Sequence, residues 1–297
     1  MSRPPSPPSS KPPRNKSMST KGSVPDPAES PRFSDEILAQ TFDTGAEIYD
    51  SFRPGYANNA FKRLIELTGL DDGAQVLEIG SGAGQATLPM AERGYDLTTI
   101  EPGTNLADVT RKKLQPYPNA RLIIGKLEDV DLPPESFDLI YSAMALHWVA
   151  EERRFAKPHQ LLKPGGYLAL LSNEPVTDEA GDRFAHALLS IRKRYGLVDE
   201  STDFERLLEP GELYHLERTP IDSGLFEEID RTVFAFDLEP RTGLDHAMYM
   251  HTLSEVLAMP EAERMAFLGE IKALIETEFD DQLDYRYATT LIIARKR

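Results

Sequence analysis

The sequence predicts an α/β protein, a Rossmann-like, doubly wound and mostly parallel seven-stranded sheet with helices on both faces and a helical insertion or lid before the last strands. Three observations carry this. Short runs of β-forming residues recur at 75–79, 96–101, 121–124, 137–142 and 167–172, with helix-length segments between most of them; parallel neighbours need such crossovers. The run Gln75-Val-Leu-Glu-Ile79 leads directly into Gly80-Ser81-Gly82-Ala83-Gly84 and then into a helical pattern. The final run, Tyr285 to Ala294, is long and rich in β formers, so it completes the sheet after a helix-rich stretch.

Taken in order, residues 1–32 form a tail. Residues 1–31 hold nine prolines and eight serines with few large apolar side chains, too little burial to offset chain entropy, so disorder is expected. Nine prolines also spoil the amphipathic helix of an import signal. The ordered domain is expected over 33–297. A helical cap over 33–68 starts at Ser34 and Asp35, with Ile37, Leu38 and Phe42 at helical spacing. Its second helix, 58–68, has Asn58 as cap candidate, Phe61, Leu64, Ile65 and Leu67 as apolar face, and Gly69 past its end. The strands listed above fill a ligand-binding core over 70–174. Helical patterns near 178–195, 244–258 and 261–277 and a β-type run at 231–238 make up a substrate or lid region over 175–280, and 281–297 supplies the final strand.

Composition narrows the function classes. Lys and Arg total 33 against 49 Asp and Glu, a net charge of −16, although residues 1–32 are basic. A body this acidic repels phosphate backbones, which argues against nucleic acid as a partner. The absence of cysteine rules out disulfides, thiolate nucleophiles and Cys-ligated metals, and a reducing cytoplasm is the expected location. No 18-residue apolar run suggests a membrane span, and a monomer or homodimer acting on a small molecule is expected.

The glycine loop is the most informative segment. Backbone at such a loop approaches a ligand closely, and amides at a helix start favour an anionic group. The dinucleotide fingerprint G-x-G-x-x-G fails at its last position, which is Gln85. Glu101, at the end of the second strand, lies where a carboxylate accepts both hydroxyls of a ribose. Loop and acid together imply a nucleoside-containing ligand smaller than a dinucleotide.

VLEIGSGAGQATLPMA (76–91), Glu101, GKLEDVDLP (125–133), FDLIYSAMALHWV (137–149) and LLKPGGYLAL (161–170) resemble the successive motifs of class I S-adenosylmethionine-dependent methyltransferases. The small-molecule subgroup that includes trans-aconitate methyltransferase is the most similar. The resemblance covers roughly 33–297 and includes Tyr49 and Arg53-Pro54-Gly55-Tyr56, which look like the family's entry motif. It implies that S-adenosylmethionine is the cofactor, with its methionine end over Gly80, Ser81, Gly82 and Gly84, Glu78 at its ammonium group, and Glu101 with Pro102 at its ribose. The family's usual adenine-accepting Asp is replaced by Lys126, which leaves the Leu127 backbone and Glu128 for that role, or Glu128 is simply solvated.

In this fold, residues after the fourth strand face the transferred methyl, so Ser142, Ala143, Met144, His147 and Trp148 are expected to line the site. His147 is a candidate base for a hydroxyl acceptor, or packs with Trp148 against adenine or core. Arg53 is a candidate for holding a substrate carboxylate or the cofactor's own, or for a surface ion pair. Tyr49 and Tyr56 either cover the cofactor and substrate or pack in the core. His215, His246 and His251 lack metal-ligand spacing, so no metal is expected. Met248, Met250, Met259 and Met265 read as adaptable core. The leading expectation is methylation of a carboxylate or hydroxyl oxygen of a small organic molecule. The alternatives are C-methylation of a quinone-like metabolite, or a module that binds the cofactor without catalysis.

Overall fold

A computed structural model describes residues 45–176, 179–202, 219–284 and 286–297. The tail, the first helix expected near 34–42 and His215 lie outside the described residues. Two helices come first, α1 (Ala46–Phe52) and α2 (Asn58–Thr68). The α/β core then alternates β1 (Gln75–Ile79), α3 (Thr87–Ala91), β2 (Asp96–Glu101), α4 (Thr104–Leu114), β3 (Ala120–Ile124) and β4 (Phe137–Ala143). It continues through α5 (Glu151–Arg154), α6 (Ala156–Leu161) and β5 (Leu162–Val176). The remainder comprises α7 (Glu179–Arg194), β6 (Phe226–Asp237), α8 (Gly243–His251), α9 (Ser254–Leu257), α10 (Glu261–Glu278) and β7 (Arg286–Lys296).

The described strands form one sheet in the order β3-β2-β1-β4-β5-β7-β6. Strands β1 to β5 pair in parallel, while β7 inserts antiparallel between β5 and β6. Chain order reverses between β1 and β4, and the crevice outside the carboxyl ends of those strands is where a doubly wound sheet binds ligands.

Alternation along β1 feeds two cores. Val76 packs on one face with Phe61, Leu64, Met90 and Tyr141, and Leu77 and Ile79 pack on the other with Ile140, Phe155 and Leu168. A third cluster, built from Phe184, Met250, Val256, Phe267 and Ile271, holds α7, α8 and α10 together.

The structure amends several sequence-based expectations. Helix α2 spans 58–68 and ends on left-handed Gly69 (φ 57°), but its N-cap is Ala57, with no side-chain cap, so Asn58 is already helical. The fifth strand runs from 162 to 176, well beyond 167–172, because β7 pairs with it throughout 167–176. The helix expected over 244–258 is two helices. The Thr252 hydroxyl donates to the carbonyl of Tyr249 (2.6 Å) and its amide bonds that same carbonyl, ending α8 in a tight turn. Met265 is exposed on α10, whereas Met250 and Met259 are buried.

Candidate active site

The turn after β1 is held open by its glycines. Gly80, Gly82 and Gly84 have φ of 78°, 53° and 94°, conformations that a side chain strains. At Gly80 the space is also filled: a β-carbon there would lie 2.2 Å from the Cβ of Ala145. The amides of Gly80 and Ser81 both donate to the Ile100 carbonyl at the end of β2. The helix itself starts only at Thr87, and within the loop the Gly84 amide donates back to the Ser81 carbonyl (2.9 Å), which tightens the turn.

Glu101 ties the turn to β2. Its Oε2 accepts the Gly82 amide (2.8 Å) and its Oε1 accepts the Gly103 amide (2.9 Å), while the Thr110 hydroxyl donates to the Gly82 carbonyl. Two charge-assisted bonds orient the carboxylate. Glu78 lies behind the turn, fully buried, its Oε2 accepting from the Thr87 hydroxyl (2.7 Å). Burial pushes its carboxyl up to about 7, and the Thr87, Thr99 and Tyr141 hydroxyls pull part-way back.

A cavity of about 420 Å³ lies over this turn, a size suited to a nucleoside-containing ligand. Gly80, Ser81, Gly82, Glu101, Pro102 and Leu127 form part of its floor and sides. Tyr49 of α1 covers the turn, its ring 3.5 Å from where a Gly82 β-carbon would be. The Asp50–Lys113 ion pair fastens α1 to α4. The far wall includes Lys126, Glu128, Met144 and Trp148. Glu128 also accepts the Ala150 amide (2.8 Å), and Lys157 donates to the Glu128 and Val130 carbonyls, which pins this loop.

A second cavity of about 130 Å³ adjoins the first. Tyr49, Tyr56, Gln85 and Met144 line both, so they form the neck between them. Met144 reaches it from a left-handed backbone (φ 54°), a conformation uncommon for a side-chain-bearing residue. The body of the second cavity is built by α1, α7 and α8 with the ends of β5 and β7, and its charged walls include Arg53, Arg192 and Glu174.

The two arginines differ in kind. Arg192 makes a buried ion pair with Glu255 (2.7 Å). Arg53 is half-buried between the rings of Tyr49 (4.9 Å) and Tyr249 (5.6 Å), and one of its amino groups donates to the Thr252 carbonyl (3.0 Å). Its Nε is buried with no hydrogen-bond partner, and no carboxylate among the described residues pairs with it. The turn carrying Arg53 is anchored by a relay: Asn173 donates to the Gly55 carbonyl, Thr289 to Asn173, and the Ala57 amide to Thr289.

A methyltransferase-domain family model matches residues 77–170. An uncharacterized methyltransferase of Geobacillus kaustophilus is 31% identical over 175 residues, 58% of this chain and 78% of that one. The chain belongs to the class I S-adenosylmethionine-dependent methyltransferase family. An uncharacterized methyltransferase of Mycobacterium tuberculosis is 30% identical over 136 residues, 46% of this chain; the match spans about half (53%) of that relative's length. A solved structure from Anaeromyxobacter dehalogenans, provisionally described as a type II methyltransferase, superposes with a TM-score of 0.53 at 23% identity. It covers 83% of this chain and 98% of the other, a likeness of fold.

Within this methyltransferase fold, most of the residues singled out from sequence converge. Tyr49, Tyr56, Gly80, Ser81, Gly82, Glu101, Pro102, Leu127, Glu128 and Trp148 line the first cavity. Five others stand outside its lining. Arg53 lines the second cavity instead. Glu78 is behind the turn, and Gly84 faces Thr110 and Lys113 of α4. Ser142 is buried with its hydroxyl donating to the Ile79 carbonyl (2.8 Å), tying β4 to β1. His147 packs its ring 4.8 Å from that of Trp148, and its carbonyl accepts from Arg154 (2.7 Å); it lines neither cavity. Sequence reasoning missed the neck role of Gln85 and the second-cavity residues Arg192, His246 and Tyr249. Gln85 was visible only as the residue that breaks the dinucleotide fingerprint.

Proposed function

We propose that this protein transfers a methyl group from S-adenosylmethionine to an oxygen of a small organic acid held in the second cavity, in the cytoplasm. The observation that carries the reading is the junction of a nucleoside-sized cavity with a smaller one whose Arg53 lacks a carboxylate partner among the described residues. The residues present fit the cofactor. The turn presents Gly80, Ser81 and Gly82 to it without bulky side chains, Glu101 places a carboxylate in the cavity wall where ribose hydroxyls can reach it, and Leu127 and Trp148 offer apolar surface to adenine.

When bound, S-adenosylmethionine supplies a sulfonium methyl: the acceptor oxygen forms the new C–O bond as the S–CH₃ bond breaks, and the electron pair stays on sulfur as the neutral thioether. The protein's part is alignment and exclusion of water. Arg53 holds a carboxylate of the acid as a fixed cation, its guanidinium oriented by two tyrosine rings and the Thr252 carbonyl. Tyr49 and Tyr56 close the neck. Burial raises the pKa of both hydroxyls, so they remain protonated donors. A carboxylate acceptor is already ionised at neutral pH, so no base is required. That agrees with His147 standing away from both cavities.

The test is incubation of the full chain with methyl-labelled S-adenosylmethionine and a panel of small carboxylates, alcohols and amines. Formation of S-adenosylhomocysteine together with a labelled, base-labile ester is the expected result. Label on carbon or nitrogen would overturn the oxygen assignment, and cofactor binding without turnover on any acceptor would overturn the catalytic one.

A further inference from the structure

We infer that Gln85 selects the acceptor atom: its side-chain amide donates to the acceptor oxygen at the neck between the two cavities and thereby favours oxygen over nitrogen. The inference rests on the methyl-transfer reading above and concerns a residue for which that reading has no role. Among the described residues, Gln85 is one of four lining both cavities, with Tyr49, Tyr56 and Met144. Its Nε2 is buried and has no hydrogen-bond partner among the described residues. A buried, unsatisfied amide N–H costs about 1–3 kcal/mol, a cost relieved when a ligand supplies the acceptor.

The chemistry of the acceptor decides which ligand can do so. A carboxylate or hydroxyl oxygen has more than one lone pair, so it accepts from Gln85 with one while another faces the methyl group. A neutral amine has a single lone pair, which the attack uses, and an ammonium has none. An amine at the neck is bonded by Gln85 only through the amide's carbonyl oxygen and so leaves the buried Nε2 N–H unsatisfied, whereas an oxygen acceptor satisfies it. The other neck residues do not discriminate in this way: Met144 is apolar at its tip, and the Tyr49 and Tyr56 hydroxyls accept from an amine as readily as they donate to an oxygen.

Three four-carbon acids share a carboxylate for Arg53 and differ at the other end: succinate, 4-hydroxybutyrate and 4-aminobutyrate. Calorimetric titration into the full chain saturated with S-adenosylhomocysteine should show the first two binding at least tenfold tighter than the third. Gln85→Leu should reduce that ratio to about one, and Gln85→Glu, which replaces the donor by an acceptor, should invert it. Both variants should unfold cooperatively in urea with a midpoint close to the native protein's, which separates selection from a general loss of structure. Equal binding of all three acids by the native protein, binding of none of them, or an unchanged ratio in Gln85→Leu would overturn the inference. Failure of the native protein to bind S-adenosylhomocysteine would instead overturn the underlying reading.

Discussion

Gly80 and Ala145 approach so closely that a β-carbon on Gly80 would stand 2.2 Å from the Ala145 Cβ. The contact joins the turn after β1 to the loop after β4, the two segments on either side of the crevice where chain order reverses. Gly80→Ala must push these loops apart and also place alanine at φ 78°. Overpacking of this kind costs about 1–3 kcal/mol. We expect a melting temperature lower by several degrees and S-adenosylhomocysteine binding weakened at least tenfold, read by thermal unfolding with and without ligand. Native-like affinity would show that the close approach does not shape the site.

Glu101 holds the turn from beneath with bonds from the Gly82 and Gly103 amides. In Glu101→Gln, one of those amides faces an NH₂ group instead of an acceptor, and the ribose site loses its charge. Two effects should appear together: a stability loss of about 1–3 kcal/mol and a drop in S-adenosylhomocysteine affinity of at least tenfold. The ribose assignment predicts more. Adenine alone, tested as a competitor, should lose little affinity in the variant, because it has no hydroxyls to present. An equal loss for both ligands would mean that Glu101 acts only by shaping the turn.

Much of this arrangement was legible in the sequence because its signals are local. Strands 75–79 and 96–101 are short runs of β-forming residues, and their observed limits coincide with those runs. Gly69 marked the end of α2 because a left-handed C-cap favours that residue. What sequence could not show depends on partners distant along the chain. Arg53 is oriented by the Thr252 carbonyl, which is free to accept only because α8 stops at that threonine, and apolar periodicity continues through the break. The Gly55–Asn173–Thr289 relay exists only once β7 lies antiparallel against β5 in one register. The left-handed Met144 and the neck position of Gln85 likewise follow from β4 and the glycine turn meeting in space.

Arg192, in the wall of the second cavity, pairs with Glu255 behind it, and both side chains have almost no exposure. Removing one charge of a buried pair costs about 3–5 kcal/mol, because the other charge stays behind. Glu255→Gln should lose that much in urea unfolding, and the double variant Arg192→Met/Glu255→Leu should regain most of it. Arg192 also faces the cavity. Its uncompensated charge in Glu255→Gln should therefore bind an added carboxylate more tightly, so that succinate raises the variant's stability more than the native protein's. Equal stabilisation would place Arg192 out of reach of the acceptor.

Glu78 and His246 are both buried, and burial moves their pKa values toward opposite ends of the scale. The Glu78 carboxyl rises from its usual 4.5 to about 7. The folded state therefore holds a proton that the unfolded chain has released, and this group's stabilisation, full below about pH 4.5, is lost as pH rises toward 7. His246 falls from 6.5 to about 3, by burial first and by the Arg241 charge second. Here the unfolded chain holds the extra proton, so this stabilisation is full above about pH 6.5 and is lost as pH falls toward 3. Between about pH 4.5 and 6.5 the two slopes, each at most about 1.4 kcal/mol per pH unit, oppose one another. Single variants should uncover them. Glu78→Gln, which removes the titration, should leave stability rising with pH across that window, and His246→Gln should leave it falling. Urea unfolding at half-unit intervals reads both slopes, and parallel profiles for the two variants would refute the opposition.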